Sequence, residues 1–150
     1  MRPLAILAVL FAGCSSEPDK KNRAVIFARD LQDITRWDRL NGAPENDGFC
    51  ALLGLDPKDS APALMSILMD PTPTHIDDRI HNIPTVGDVA FQMLLIIFKL
   101  PAESFADEGV WIGTDPINNP IYNVHLDTDE VRGRVQRRFA FLAKQRGWMD

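Results

Sequence analysis

Between residues 23 and 40 the chain reads RAVIFARDLQDITRWDRL, and Phe27, Leu31 and Ile34 recur at helical spacing with Ala24 and Trp37 near the same stripe. No proline or glycine interrupts the run, so it predicts an amphipathic helix ended by Asn41-Gly42. After the polar NGAPENDG, the stretch FCALLGL predicts a helix of two turns, stopped by Asp56-Pro57. Ser60 is then expected to cap a third helix from about 60 to 70, with Pro62 at an early position where its missing N–H costs nothing. The alternating PTPTH predicts an extended connection, because proline disfavours helix in the residue before it. In TVGD, Thr85 and Asp88 have the spacing of a capping box. The following VAFQMLLIIFKL is apolar on nearly every side, so the helix from 86 to 99 is expected at the centre of the domain, ended by Pro101.

Residues 101–127 are the least regular, and GVWIG and IYNVHL suggest a short β-hairpin near 109–126 across TDPINNP. The last helix is expected to begin at Asp127 or Thr128. Val131, Val135, Phe139 and Leu142 form its inner stripe, with Arg132, Arg134, Arg137 and Arg138 over the rest and Gly147 placed to stop it. Together these patterns predict a mainly α fold, one small domain of about five short antiparallel helices. Helices joined by D-P and P-T-P turns, as in GLDPKDSAPALMSILMDPTPT, resemble the units of HEAT-type repeats over residues 48–99. No period of about 30 to 45 residues recurs, as a repeat array requires, so the resemblance implies only stacked antiparallel helices.

The first sixteen residues, MRPLAILAVLFAGCSS, obey a different pattern: a basic start, an apolar run from Leu4 to Ala12, then small residues. A spanning helix needs about 20 apolar residues, and this run is too short. The stretch FAGC resembles the lipobox of bacterial lipoproteins: Ala12, Gly13 and Cys14 match it, and Phe11 stands where leucine is usual. The resemblance implies that residues 1–13 are a signal peptide that is removed, and that Cys14 carries covalent lipid such as palmitate, the one cofactor-like group expected. Acyl chains stabilise membrane attachment by roughly 0.8 kcal/mol per buried methylene. An ordinary secretory leader cut near Gly13, or a chance apolar start, is the plainer alternative. Residues 14–22 then form a lipidated tether and 23–150 the helical domain; the eight residues from 15 to 22 reach at most about 28 Å. With Ser15 rather than aspartate after the cysteine, the resemblance implies the bacterial cell envelope, and the periplasmic side of the outer membrane in a Gram-negative cell.

Charge narrows the partners. The chain has 16 basic and 21 acidic residues, net −5, which argues against nucleic acid, whose phosphates call for a basic surface. Residues 45–115 hold twelve acidic and three basic residues, whereas 116–150 hold four acidic and six basic. The acidic region reads either as a solvated surface or as a face for a basic partner. Beyond Cys14 the only cysteine is Cys50, expected as a small buried thiol among apolar neighbours.

No G-x-S-x-G, H-E-x-x-H, C-x-x-C or phosphate-binding glycine loop is present. The densest polar cluster is HIDDRIH, in which His75, Asp77, Asp78 and His81 are ligand types for zinc or another transition metal. The plainer reading has them capping the next helix, pairing with Arg79 or facing water. His125, alone in an alternating stretch, is expected to be structural. Trp111 and Tyr122, aromatic residues on the irregular segment, are candidates for contacting a partner, with packing under the loop as the alternative. These features predict a membrane-anchored envelope lipoprotein that binds another envelope protein without catalysis. A small metal-dependent hydrolase using the HIDDRIH cluster, or a purely structural envelope lipoprotein, are the rivals.

Overall fold

The structure, a computed structural model, describes residues 17–35, 46–76, 83–114 and 124–150, with side chains from Asn22 onward. It is a small, mainly helical single domain with one short two-stranded antiparallel sheet. The elements in order are α1 (Glu17–Arg29) continued by a 3-10 turn (Asp30–Asp33), α2 (Asp47–Gly54), α3 (Pro57–Ile67), α4 (Val86–Phe98), a 3-10 helix (Ala102–Glu108), β1 (Trp111–Ile112), β2 (Val124–His125) and α5 (Asp129–Gln145).

Helix α1 begins six residues before the expected Arg23, inside the segment read as a tether, and ends earlier than expected. Pro18 falls in its first turn, where a missing N–H breaks no helical bond. At the other end, the Asp30 carbonyl would accept from Ile34 in an α-helix. It accepts instead from Asn46 Nδ2 at 3.0 Å, and Ile34 N turns to the Leu31 carbonyl at 3.3 Å. Leu31 and Ile34 are nevertheless buried, as their spacing predicts. Residues 36–40 lie outside the described residues.

Asn46 also starts α2, its side chain accepting from Phe49 N at 2.9 Å. The inward face of this short helix is Gly48, Phe49 and Leu52. Cys50 points elsewhere and is exposed, which corrects the expectation of a buried thiol: two turns bury one narrow face, and position 50 is off it. Helix α3 starts one turn before the expected Ser60. Asp56 is its cap and Pro57 its first residue, so the dipeptide that stops α2 also starts α3. Ser60 is buried inside the helix, its Oγ 3.4 Å from the Asp56 carbonyl.

Helix α4 is the centre, as its composition predicts. All of its first ten residues are buried, and only Ile96 is half exposed. Each fully buried side chain of the size of Leu94 or Phe91 contributes about 2 kcal/mol. The extended 72–74 segment lies alongside residues 84–86: Thr74 N donates to the Pro84 carbonyl at 2.9 Å and Val86 N to that of Thr72 at 2.9 Å. Gly87 sits where a Cβ would come within 2.5 Å of the Leu68 carbonyl oxygen. Only glycine lets α4 start that close to the end of α3. Helix α4 stops at Lys99, which takes a left-handed conformation at φ 54°.

The expected hairpin is present, with Trp111 opposite His125 and Ile112 opposite Val124. The pattern missed the 3-10 helix before it, which carries Phe105 against Phe91 and Phe139 at centroid distances of 5.4 and 4.6 Å. Helix α5 begins after Thr128, whose side chain accepts from Val131 N. Its buried face is Val131, Arg132, Val135, Phe139 and Ala143; Leu142 is half-buried, and Arg132 is inside rather than on the surface. Past the end, Trp148 N returns to the Ala143 carbonyl at 2.9 Å while Gly147 takes φ 69°, the left-handed stop its type suggests.

Candidate functional site

The capping box at the start of α4 is the root of a buried polar cluster. Thr85 Oγ1 accepts from Asp88 N at 3.2 Å, and Thr85 N and Oγ1 each donate to Asp88 Oδ2 at 2.9 Å. That leaves Asp88 Oδ1, which accepts from Leu126 N, immediately after β2, at 2.9 Å. Across from it the His125 Nδ1 lies 3.9 Å from Asp88 Oδ2, with both side chains buried. Beyond direct hydrogen-bond length, that approach acts as an electrostatic one. Arg132 closes the cluster from α5, reaching Thr85 Oγ1 and the exposed Asp129, each at 3.4 Å. Its Nε is buried with no hydrogen-bond partner among the described residues.

Burial alone pushes the Asp88 carboxyl up. The His125 imidazole, the Thr85 and Leu126 amides and the Thr85 hydroxyl outweigh it, and together hold the group below the ordinary carboxylate range. Both carboxylate oxygens are occupied by donors from the chain. The cluster therefore locks the first turn of α4 to the hairpin and does not leave Asp88 poised as a base.

On the outside of this cluster, the Trp111 ring stacks on His125 at 5.4 Å and 27°. The buried face of the imidazole thus holds an indole that is itself 46% exposed. Arg134 Nε donates to the Glu108 carbonyl at 2.9 Å, and Arg138 pairs with the Glu108 carboxylate at 2.7 Å while covering the Phe105 ring. The base from which β1 emerges is thereby fixed to α5.

Of the metal candidates, His75 is described and exposed. Its Nδ1 is 3.3 Å from Asp33 Oδ1, and its amide donates to the Gln32 carbonyl at 3.0 Å. Asp77, Asp78 and His81 lie outside the described residues, as do Cys14 and Tyr122. Among the described residues no three histidine, cysteine or acidic side chains group as metal ligands, and no helix is long and apolar enough to cross a membrane. Comparison with protein-family models, curated proteins and solved structures finds no match.

Sequence reasoning paired Thr85 with Asp88 as a capping box and named Trp111 and His125 separately, but spacing could not bring that pair to the hairpin. The Asp88 to Leu126 bond joins positions 38 apart. The one available signal was a buried-helix capping box whose acidic residue had a spare oxygen.

Proposed function

We propose that this chain is a lipid-anchored protein of the bacterial cell envelope, tethered through Cys14, whose helical domain holds another envelope protein close to the membrane. The observation that carries the anchor is the order of basic start, short apolar run and Ala12-Gly13-Cys14 in the sequence. Support for a binding role comes from Trp111, an exposed indole on a two-residue strand braced from behind by His125. Rigid aromatic side chains of this kind give large contact area at little ordering cost.

Two measurements test the reading. Intact mass of membrane-extracted protein should show a chain starting at Cys14 and heavier by its acyl groups, absent in Cys14→Ser; an unmodified chain removes the anchor. Crosslinking in intact cells should give one discrete adduct that Trp111→Ala loses while the thermal midpoint is unchanged. An adduct equally strong in that variant removes the role of Trp111.

A further inference from the structure

Away from the hairpin, α3 and α5 leave an open groove of about 300 Å³ between them, with Met149 of the returning C-terminal segment in its wall. Its walls are Pro62 and Met65 of α3, Ala140 of α5, and Met149. The two thioethers are adaptable fillers that yield to a guest. Two polar side chains in the wall are already engaged: Ser66 Oγ donates to the Ala63 carbonyl at 2.6 Å and Gln136 Nε2 to the Met65 carbonyl at 2.8 Å.

One cation stands at the rim. Among the arginines of α5, Arg132 meets Asp129, Arg134 pairs with Glu130, and Arg138 with Glu108. Arg137 has no hydrogen-bond or ion-pair partner among the described residues, and it lines the groove. Phe141, one helical turn further on, is 60% exposed and extends the apolar shoulder beside it.

We infer that this groove binds a single-chain anionic amphiphile, a medium-chain fatty acid in its chemistry, with the acyl chain along Met65, Ala140 and Met149 and the carboxylate on Arg137. A peptide would need donors and acceptors for its backbone along the whole trough, and Pro62, Met65, Ala140 and Met149 offer it none from their side chains. A carboxylate with an alkyl chain needs one cation and an apolar trough. At about 30 Å³ per group, the share of one water in the liquid, the groove takes roughly ten methylene-sized groups. The guanidinium fork matches a carboxylate in two-point geometry. This site is separate from Trp111 and from the anchor, and does not depend on either.

Sodium decanoate and decanol are the probes, titrated below micelle formation into the full chain carrying Cys14→Ser, so that no covalent acyl group competes. The Met149 methyl resonance should shift saturably with decanoate, and octanoate should bind several-fold more weakly. Arg137→Ala should weaken decanoate about fivefold, as expected for an exposed charge pair, and leave decanol unchanged. Ala140→Trp, which fills the trough while keeping the helix, should abolish both. Absence of a saturable shift overturns the site, as does equal decanoate affinity in Ala140→Trp. Equal loss of decanoate and decanol in Arg137→Ala overturns the assignment of an anionic ligand.

Discussion

Among the described residues two histidine–carboxylate pairs stand out, and the closer of them matters less. His75 and Asp33 approach to 3.3 Å but are 59% and 71% exposed as side chains, whereas His125 and Asp88 stand 3.9 Å apart and are 8% and 5% exposed. In water a pair like the first contributes between about 0 and 1 kcal/mol, because solvent and salt screen it. In the second, the carboxylate is also the end of a helix cap and the acceptor of an amide just past a distant strand. Each of those roles weakens if the group is removed. What differs is burial and the number of partners, not separation.

Asp88→Ala should separate the pairs most sharply. It leaves the buried Leu126 N–H and the Thr85 N–H without their acceptor and removes half of the capping box, at a cost of about 3 kcal/mol in denaturant unfolding. A loss below about 1 kcal/mol would mean that water replaces the carboxylate readily. His125→Ala should cost less, about 1 to 2 kcal/mol, and should change Trp111 fluorescence by removing the ring it stacks on. Unaltered emission would show that Trp111 does not depend on that support.

Acid sharpens the comparison further. Asp88 is held below its ordinary value of 3.8 in the folded chain. The stability it supplies is therefore full above pH about 4 and lost as pH falls through the lower folded value. The gap in stability between wild type and Asp88→Ala should be constant from pH 7 to about 4 and narrow below that. A gap that narrows already near neutrality would point to another titrating group. The smallest effect is expected at the exposed pair: His75→Ala should change stability by less than about 0.5 kcal/mol at pH 7.

Much of the architecture was legible because local chemistry and burial agree. Thr85 and Asp88 cap α4, the apolar run behind them is buried, and Gly147 turns the chain after α5. The expectations that failed did so where tertiary contacts overrule local ones. Asn46 takes the Asp30 carbonyl and ends α1 early. Arg132 is drawn inside by Thr85, although an arginine in a basic helix reads as surface. Cys50 has apolar neighbours in sequence but falls off the single buried face of α2. The cluster itself was illegible for a related reason: hydrophobic periodicity shows which face turns inward, not which buried polar groups will meet there. Of the residues singled out for chemistry, Trp111 and His75 can be placed. Trp111 stands on the cluster, and His75 is tied to Asp33 on the other side of the sequence.

The bond from Leu126 to Asp88 separates local order from long-range order. Helix α4 completes its cap from residues three apart, whereas the remaining carboxylate oxygen is met by an amide 38 positions away. The Leu126 amide finds its acceptor only when β2 docks, so its protection from solvent exchange should measure the free energy of lifting the hairpin from the helix. That single amide reads the opening of the segment that carries Trp111, separately from unfolding of the helical core beneath it.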